Sequence, residues 1–160
     1  MMDGFPSHLA ERTRHRNSVP APHGPGPVVV WLKSSFRLHE NPAIDLGRHI
    51  AAEHNRALFI YHGIDERYPH ASLRHHTMLL DAAVDMEEGC RKAGLRYVLH
   101  VARDGHRPSV MKAFSQSASC IITDLFPLPP WTNWVDSIAA SAACPVFDVD
   151  CHCVIPMPLF

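Results

Sequence analysis

The sequence lacks an apolar run approaching the roughly 20 residues needed to cross a bilayer, and no apolar signal-type segment opens it. The expectation is a soluble, intracellular protein with no membrane partner. Charge of one sign is also missing: 15 Lys and Arg stand against 16 Asp and Glu, a formal net charge of -1. No global field then favours nucleic acid, and DNA binding by this chain alone is not expected. The five cysteines, Cys90, Cys120, Cys144, Cys151 and Cys153, are an odd set with no even disulfide framework, which suits a reducing compartment. Cys151, His152 and Cys153 crowd into three positions, whereas zinc sites use a wider gap and a second ligand pair. His75 and His76 are adjacent on a helix and point about 100° apart, so no metal site is expected. There is no G-x-G-x-x-G after the first strand, no P-loop and no G-x-S-x-G elbow, which removes the common dinucleotide, nucleoside triphosphate and hydrolase signatures. No catalytic residue is assigned.

What is present supports one domain. At 160 residues and 46% hydrophobic composition the chain can bury a real core once, and hardly twice. Thirteen histidines would make the surface basic in mild acid, below about pH 6.5. Residues Met1 to Pro27 carry Pro6, Pro20, Pro22, Pro25 and Pro27 with few large apolar groups, and read as a flexible leader. Arg12, Arg14 and Arg16 also suit an organelle transit peptide, against which Asp3, Glu11 and the prolines count.

From Val28 strands and helices alternate. Val28 to Leu32 is a continuous apolar run suited to a strand covered on both faces. Pro42 after Asn41 signals a helix start, and that helix runs to about Asn55. Ala57 to Tyr61 reads as a second strand, His62 to Ser72 as a loop because of Gly63 and Pro69, and Leu73 as the start of a long helix that Gly94 stops. Leu95 to Val101 alternates apolar and polar positions, so the third strand is placed towards an edge. A short helix from Pro108 to about Gln116, a fourth strand at Cys120 to Thr123, a helix from Trp131 to Ala143 and a fifth strand at Pro145 to Val149 complete the pattern. The reading is α/β: a Rossmann-like, doubly wound, five-stranded parallel sheet of strand order 3-2-1-4-5.

Arg37 to Ile44 spell RLHENPAI behind a strand containing Trp31. That string resembles the opening of the photolyase and cryptochrome family, whose amino-terminal α/β domain begins with a WFRRDLRLHDNPAL-like sequence. Ile122 to Pro129, ITDLFPLP, and Val149 to Pro156, VDCHCVIP, resemble the T-D-F-S-P-L-like and V-D-x-H-N-x-V-P-like segments of its class II branch. The resemblance covers about residues 28–158. Departures fall in the first loop, where Ser34 and Ser35 replace an arginine and an aspartate and Lys33 takes the first basic position, and at Cys153, where asparagine is usual.

The resemblance implies an antenna-type domain. Family members carry FAD, electron-transfer tryptophans and the lesion pocket in a helical domain that follows, so no FAD and no repair are expected of this chain alone. It is read either as a truncated product or as a free-standing relative. The implied partner is a helical flavin domain or another protein on the same face. The implied cofactor is a folate or deazaflavin antenna, and ligands of open α/β sheets sit beyond the strand carboxyl ends where the order reverses. Between strands one and four this names Lys33, Ser34, Asp124 and Phe126, with His62 nearby and Trp31 or Phe126 as ring partners. Each has a plainer alternative: Lys33 as a solvated charge, Asp124 as a turn cap, Trp31 as core, and Arg37 with Glu40 as a local ion pair or a contact to the missing domain.

Overall fold

Secondary structure begins well before Val28. The computed structural model describes residues 4–20 and 22–160. In the first stretch Ser7–Ala10 form one helical turn, α1, and Thr13–His15 a strand, β1. The expected flexible leader is corrected for these residues; Met1 to Asp3 and Ala21, which it included, lie outside the described residues. The cause is a set of partners far along the chain. β1 pairs antiparallel with the last strand, Arg14 aligned with Asp148. Arg14 Nε donates to Asp148 Oδ1 at 3.2 Å and Arg16 Nη1 to Oδ2 at 2.9 Å. Leu9 is buried in the main core, so even the helical turn contributes to packing.

Five further strands and four longer helices follow: β2 Val28–Leu32, α2 Pro42–Glu53, β3 Leu58–Asp65, α3 Leu73–Lys92, β4 Arg96–Ala102, α4 Val110–Ser117, β5 Cys120–Asp124, α5 Trp131–Ser141 and β6 Val146–Val149. The sheet order is β1-β6-β5-β2-β3-β4. The expected five-stranded, all-parallel sheet is therefore corrected to a six-stranded mixed one. From β4 inward the parallel strands run β4-β3-β2-β5-β6, so the difference from 3-2-1-4-5 is the antiparallel edge strand. No helix of the described residues is long and apolar enough to cross a membrane.

Period-two alternation of side chains explains the two core layers. Val28, Val30 and Leu32 of β2 face a cluster with Ile44 and Ile50 of α2 and Met86 and Cys90 of α3. Val29 and Trp31 face the other, with Met111 of α4 and Val135 and Ala139 of α5. A strand buried on both sides reads as an unbroken apolar run. Asn41 caps α2, its Oδ1 accepting from the N–H of Ala43 at 3.1 Å and of Ile44 at 3.4 Å, and Pro42 occupies a position where a missing N–H costs nothing.

β3 runs four residues beyond its expected end, replacing the first part of the loop assigned to His62–Ser72. Its partner β4 pairs with it through Asp65 aligned with Ala102. Gly63, which suggested a break, instead lies under the Tyr61 ring: a Cβ there would sit 3.0 Å from the Tyr61 oxygen. Glycine serves here for close approach within a strand.

Candidate functional site

Because β2 and β5 are parallel neighbours with Trp31 aligned to Thr123, the loop leaving β2 meets the end of β5. Asp124, wholly buried, accepts the backbone N–H of Lys33 at 2.9 Å and those of Ser34 and Ser35 at 2.6 Å each. Ser34 Oγ adds a bond at 2.7 Å and the Lys33 ammonium an ion pair at 3.2 Å. Lys33 Nζ also donates to the Asp124 carbonyl at 2.6 Å and to Thr123 Oγ1. Desolvation works against charge on both groups. It holds the Lys33 ammonium below its ordinary value against the pull of Asp124. In Asp124 it is outweighed by the Lys33 charge and the bonds from Ser34 and Ser35, which keep the carboxyl below the usual range. The pair welds the first loop to the fourth parallel strand of the chain, so Lys33 is not a solvated charge and Asp124 does more than cap its own turn.

Arg37 extends the weld. Its guanidinium donates to Ser35 Oγ at 2.6 Å, to the Cys151 carbonyl at 2.6 Å and to the Glu40 carbonyl at 2.9 Å. The contact with Glu40 is thus to backbone, which corrects the expected ion pair. Cys151 is buried with its Sγ facing the Val149 carbonyl and Asn41, and among the described residues no three metal-ligating side chains converge.

His62 is wholly buried. Its side chain is stacked on Phe36 at 4.1 Å between ring centroids, and Nδ1 lies 2.8 Å from the Tyr97 hydroxyl. Burial pushes its pKa down to about 4. Phe126 packs on Trp131 at 4.8 Å and approaches His152 edge-on at 6.2 Å.

A cavity of about 520 Å³ opens beside this weld, at the carboxyl ends of β2, β3 and β4. One wall is aromatic, from Trp31, Tyr61, Trp131 and Trp134, and takes in all three tryptophans of the chain. Tyr68 extends it, its ring 5.4 Å from Trp131 and 6.1 Å from Trp134. The Tyr61 hydroxyl lies 3.1 Å from His100 Nδ1, and burial pushes the phenol up to about 12, so it stays protonated. Asp65 and Arg67 form the rim, joined at 2.6 Å; the hydrogen bond from Arg67 lowers the Asp65 carboxyl to about 2.

Of the residues assigned from sequence, Lys33 lines this cavity along with Trp31, while Ser34, His62, Asp124 and Phe126 lie outside its lining. The opening sits towards β3 and β4 rather than between β2 and β5, because the Lys33–Asp124 weld fills that crossover. Sequence reasoning missed Tyr61, Tyr68, His100, Trp131 and Trp134. The one local signal is the pairing of Trp131 with Trp134 at helical spacing behind a proline-rich loop.

Over residues 28–158 the sequence matches the family described as DNA photolyase. The chain belongs to the DNA photolyase family. A deoxyribodipyrimidine photo-lyase from Methanothermobacter thermautotrophicus is 28% identical over 148 residues, covering 92% of this chain and 33% of that protein. The photolyase-family chain thus spans about a third of the length of that curated relative. Among solved structures it is similar to a universal stress protein from Archaeoglobus fulgidus, at 17% identity and a TM-score of 0.45, covering 78% of this chain and 43% of that one. A universal stress protein in complex with cAMP matches at 14% identity and a TM-score of 0.45, covering 81% and 100%.

Proposed function

We propose that this photolyase-family α/β domain is a chromophore-binding module, catalytically silent in DNA repair by itself. The observation that carries the reading is the cavity at the strand carboxyl ends with Trp31, Tyr61, Trp131 and Trp134 in its wall. Its volume lies within the roughly 300–1,000 Å³ of small-molecule sites, and an apolar wall with a few polar groups is their usual chemistry. A folate or deazaflavin fits that description: a flat ring system for the aromatic wall, and ring-edge heteroatoms for polar neighbours such as His100. When bound, such a group would supply light absorption; the residues here would hold and orient it and keep water from its faces. Affiliation with the class II branch is part of the proposal and rests on ITDLFPLP and VDCHCVIP.

The test is a titration followed by tryptophan fluorescence, with 5-deazariboflavin or a reduced folate as probe. Saturable quenching with one-site behaviour is expected. Quenching that only rises in proportion to ligand contradicts the reading, and so does bound FAD together with light-dependent dimer repair by this chain alone.

A second reading treats the chain as the amino-terminal part of a light-dependent deoxyribodipyrimidine photo-lyase, favoured by a relative that extends well beyond the matched region. A third, a protein-interaction domain, is favoured by exposed apolar side chains on α3, Leu73, Leu80 and Val84, and on edge strand β4, Val98, Leu99 and Val101. An unpaired apolar edge of this kind attracts partners.

A further inference from the structure

The two edges of the sheet are built differently. At one end β1 is three residues long, and its middle residue, Arg14, is tied to Asp148. At the other end β4 runs for seven residues, and among the described residues it pairs with β3 alone. An edge strand carries unpaired N–H and C=O groups, which proteins usually blunt by short length, lysine or proline. β1 is short and charged, whereas β4 holds neither lysine nor proline.

The side chains beside this open edge are apolar on both faces. Period-two alternation puts Leu95, Tyr97, Leu99 and Val101 on the α3 side, where Leu95 and Tyr97 pack against the main core. Leu99 and Val101 on that face, and Val98 on the other, are exposed. α3 continues the band. A Cβ on its Gly89 would lie 3.1 Å from Leu38, in the loop that leaves the central strand β2. At 100° per residue Leu80, Val84 and Glu87 then stand on the opposite flank of the helix, over β4. The Glu87 charge accordingly acts on Tyr97, and both Leu80 and Val84 are exposed.

We infer that β4 is the docking edge for a second copy of this chain, the two β4 strands pairing antiparallel about a two-fold axis at Leu99. The inference rests on the protein-interaction reading and names its partner. A lone strand from another protein would satisfy the backbone of β4 but leave Leu80 and Val84 in water. A helical partner would cover those two and leave the backbone unpaired. A second copy brings both a strand and its own α3.

A two-fold contact must suit itself, residue i meeting j while j meets i, and this segment does. About Leu99 the opposed pairs are Leu99 with Leu99, Tyr97 with Val101 and Val98 with His100. An aromatic residue opposite a β-branched one is a favourable cross-strand pair. Charge agrees as well. Arg103 of one copy falls opposite Leu95 and diagonal to Tyr97 of the other, beside Glu87. Both Arg103 and Glu87 are exposed, and among the described residues neither joins a salt bridge within its own chain.

The experiment is sedimentation equilibrium of the whole chain at up to roughly 100 μM. A monomer–dimer equilibrium is expected. Leu99→Lys sets two ammonium groups face to face on the axis and should weaken association at least about tenfold. Arg103→Glu and Glu87→Arg should each weaken it about threefold or more, and the double variant Arg103→Glu/Glu87→Arg should recover it. A dimer indifferent to Leu99→Lys and to the charge exchange overturns the assignment. Open-ended growth does the same, since a two-fold contact closes at two copies. A chain that stays monomeric overturns the second copy, and the neutral apolar dye Nile red then tests the interaction reading beneath it. Dye bound by the monomer and lost in Leu99→Lys leaves that reading standing; no dye bound overturns both.

Discussion

Lys33 Nζ and Asp124 Oδ1 face each other at 3.2 Å with both side chains shut off from solvent, so the first loop of the domain is tied to a strand end 91 residues away. The two partners are not equivalent. Asp124 keeps three backbone N–H donors and the Ser34 hydroxyl if Lys33 is removed; among the described residues Lys33 has no second salt-bridge partner if Asp124 is removed, Asp148 acting on it only at longer range. Asp124→Asn should therefore cost about 3–5 kcal/mol, the range for stranding a buried charge, and Lys33→Met clearly less. Urea unfolding of the two variants checks the order. Because the Asp124 pKa is depressed on folding, its contribution is complete above the unfolded value near 3.8 and declines as pH falls below it.

His62 gives a separate pH dependence at milder acidity. Its pKa falls from 6.5 to about 4 on folding, so between those values the unfolded chain takes a proton that the folded chain refuses. Stability contributed by His62 is whole above about pH 6.5 and is lost as pH drops towards 4. At roughly 1.4 kcal/mol per pH unit the full effect is about 3 kcal/mol. His15 is shifted in the same direction, mainly by desolvation, so a comparison is needed: His62→Gln should flatten the fall in urea midpoint between pH 6.5 and 4.5 relative to wild type.

Gly47 on α2 offers a test of packing. A Cβ there would lie 2.5 Å from Val30 Cγ2 and 3.1 Å from Leu58 Cδ1. Alanine is the better helix former by about 1 kcal/mol, yet Gly47→Ala should destabilise by roughly 1–3 kcal/mol because the core has no room to yield. A raised melting temperature would show that the helix and sheet separate more easily than their contacts suggest.

Local chemistry was legible in the sequence and distant pairing was not. The Asn41–Pro42 helix start, the double-faced burial of Val28 to Leu32 and the edge position of Leu95 to Val101 all follow from neighbours a few residues apart. β1 escaped because its reasons, Asp148 and the free edge of β6, lie more than a hundred residues away. Gly63 misled because glycine as a breaker and glycine as a platform for the Tyr61 ring look alike in one dimension. The site was legible only in part: Lys33 and Trp31 were named, but the wall built by Tyr61, Trp131 and Trp134 needs the fold to bring β3 and α5 together.

The amino-terminal strap should be separable from the sheet it completes. Asp148 is almost wholly buried and is answered by Arg14 and Arg16. Replacing both with alanine strands the carboxylate, so Arg14→Ala/Arg16→Ala should lose about 2–4 kcal/mol. Hydrogen exchange should show β1 and β6 opening together and β2 and β3 unaffected; equal protection in variant and wild type would mean that backbone pairing alone holds β1.

The aromatic cavity as a chromophore site is tested most directly by the absorption spectrum of this chain purified from a host that makes folates and deazaflavins. A band at wavelengths longer than the tryptophan region is expected to co-purify with the protein and to vanish in Trp131→Ala/Trp134→Ala. A spectrum with nothing beyond the aromatic band, from protein that also fails to quench on adding 5-deazariboflavin, would contradict the account.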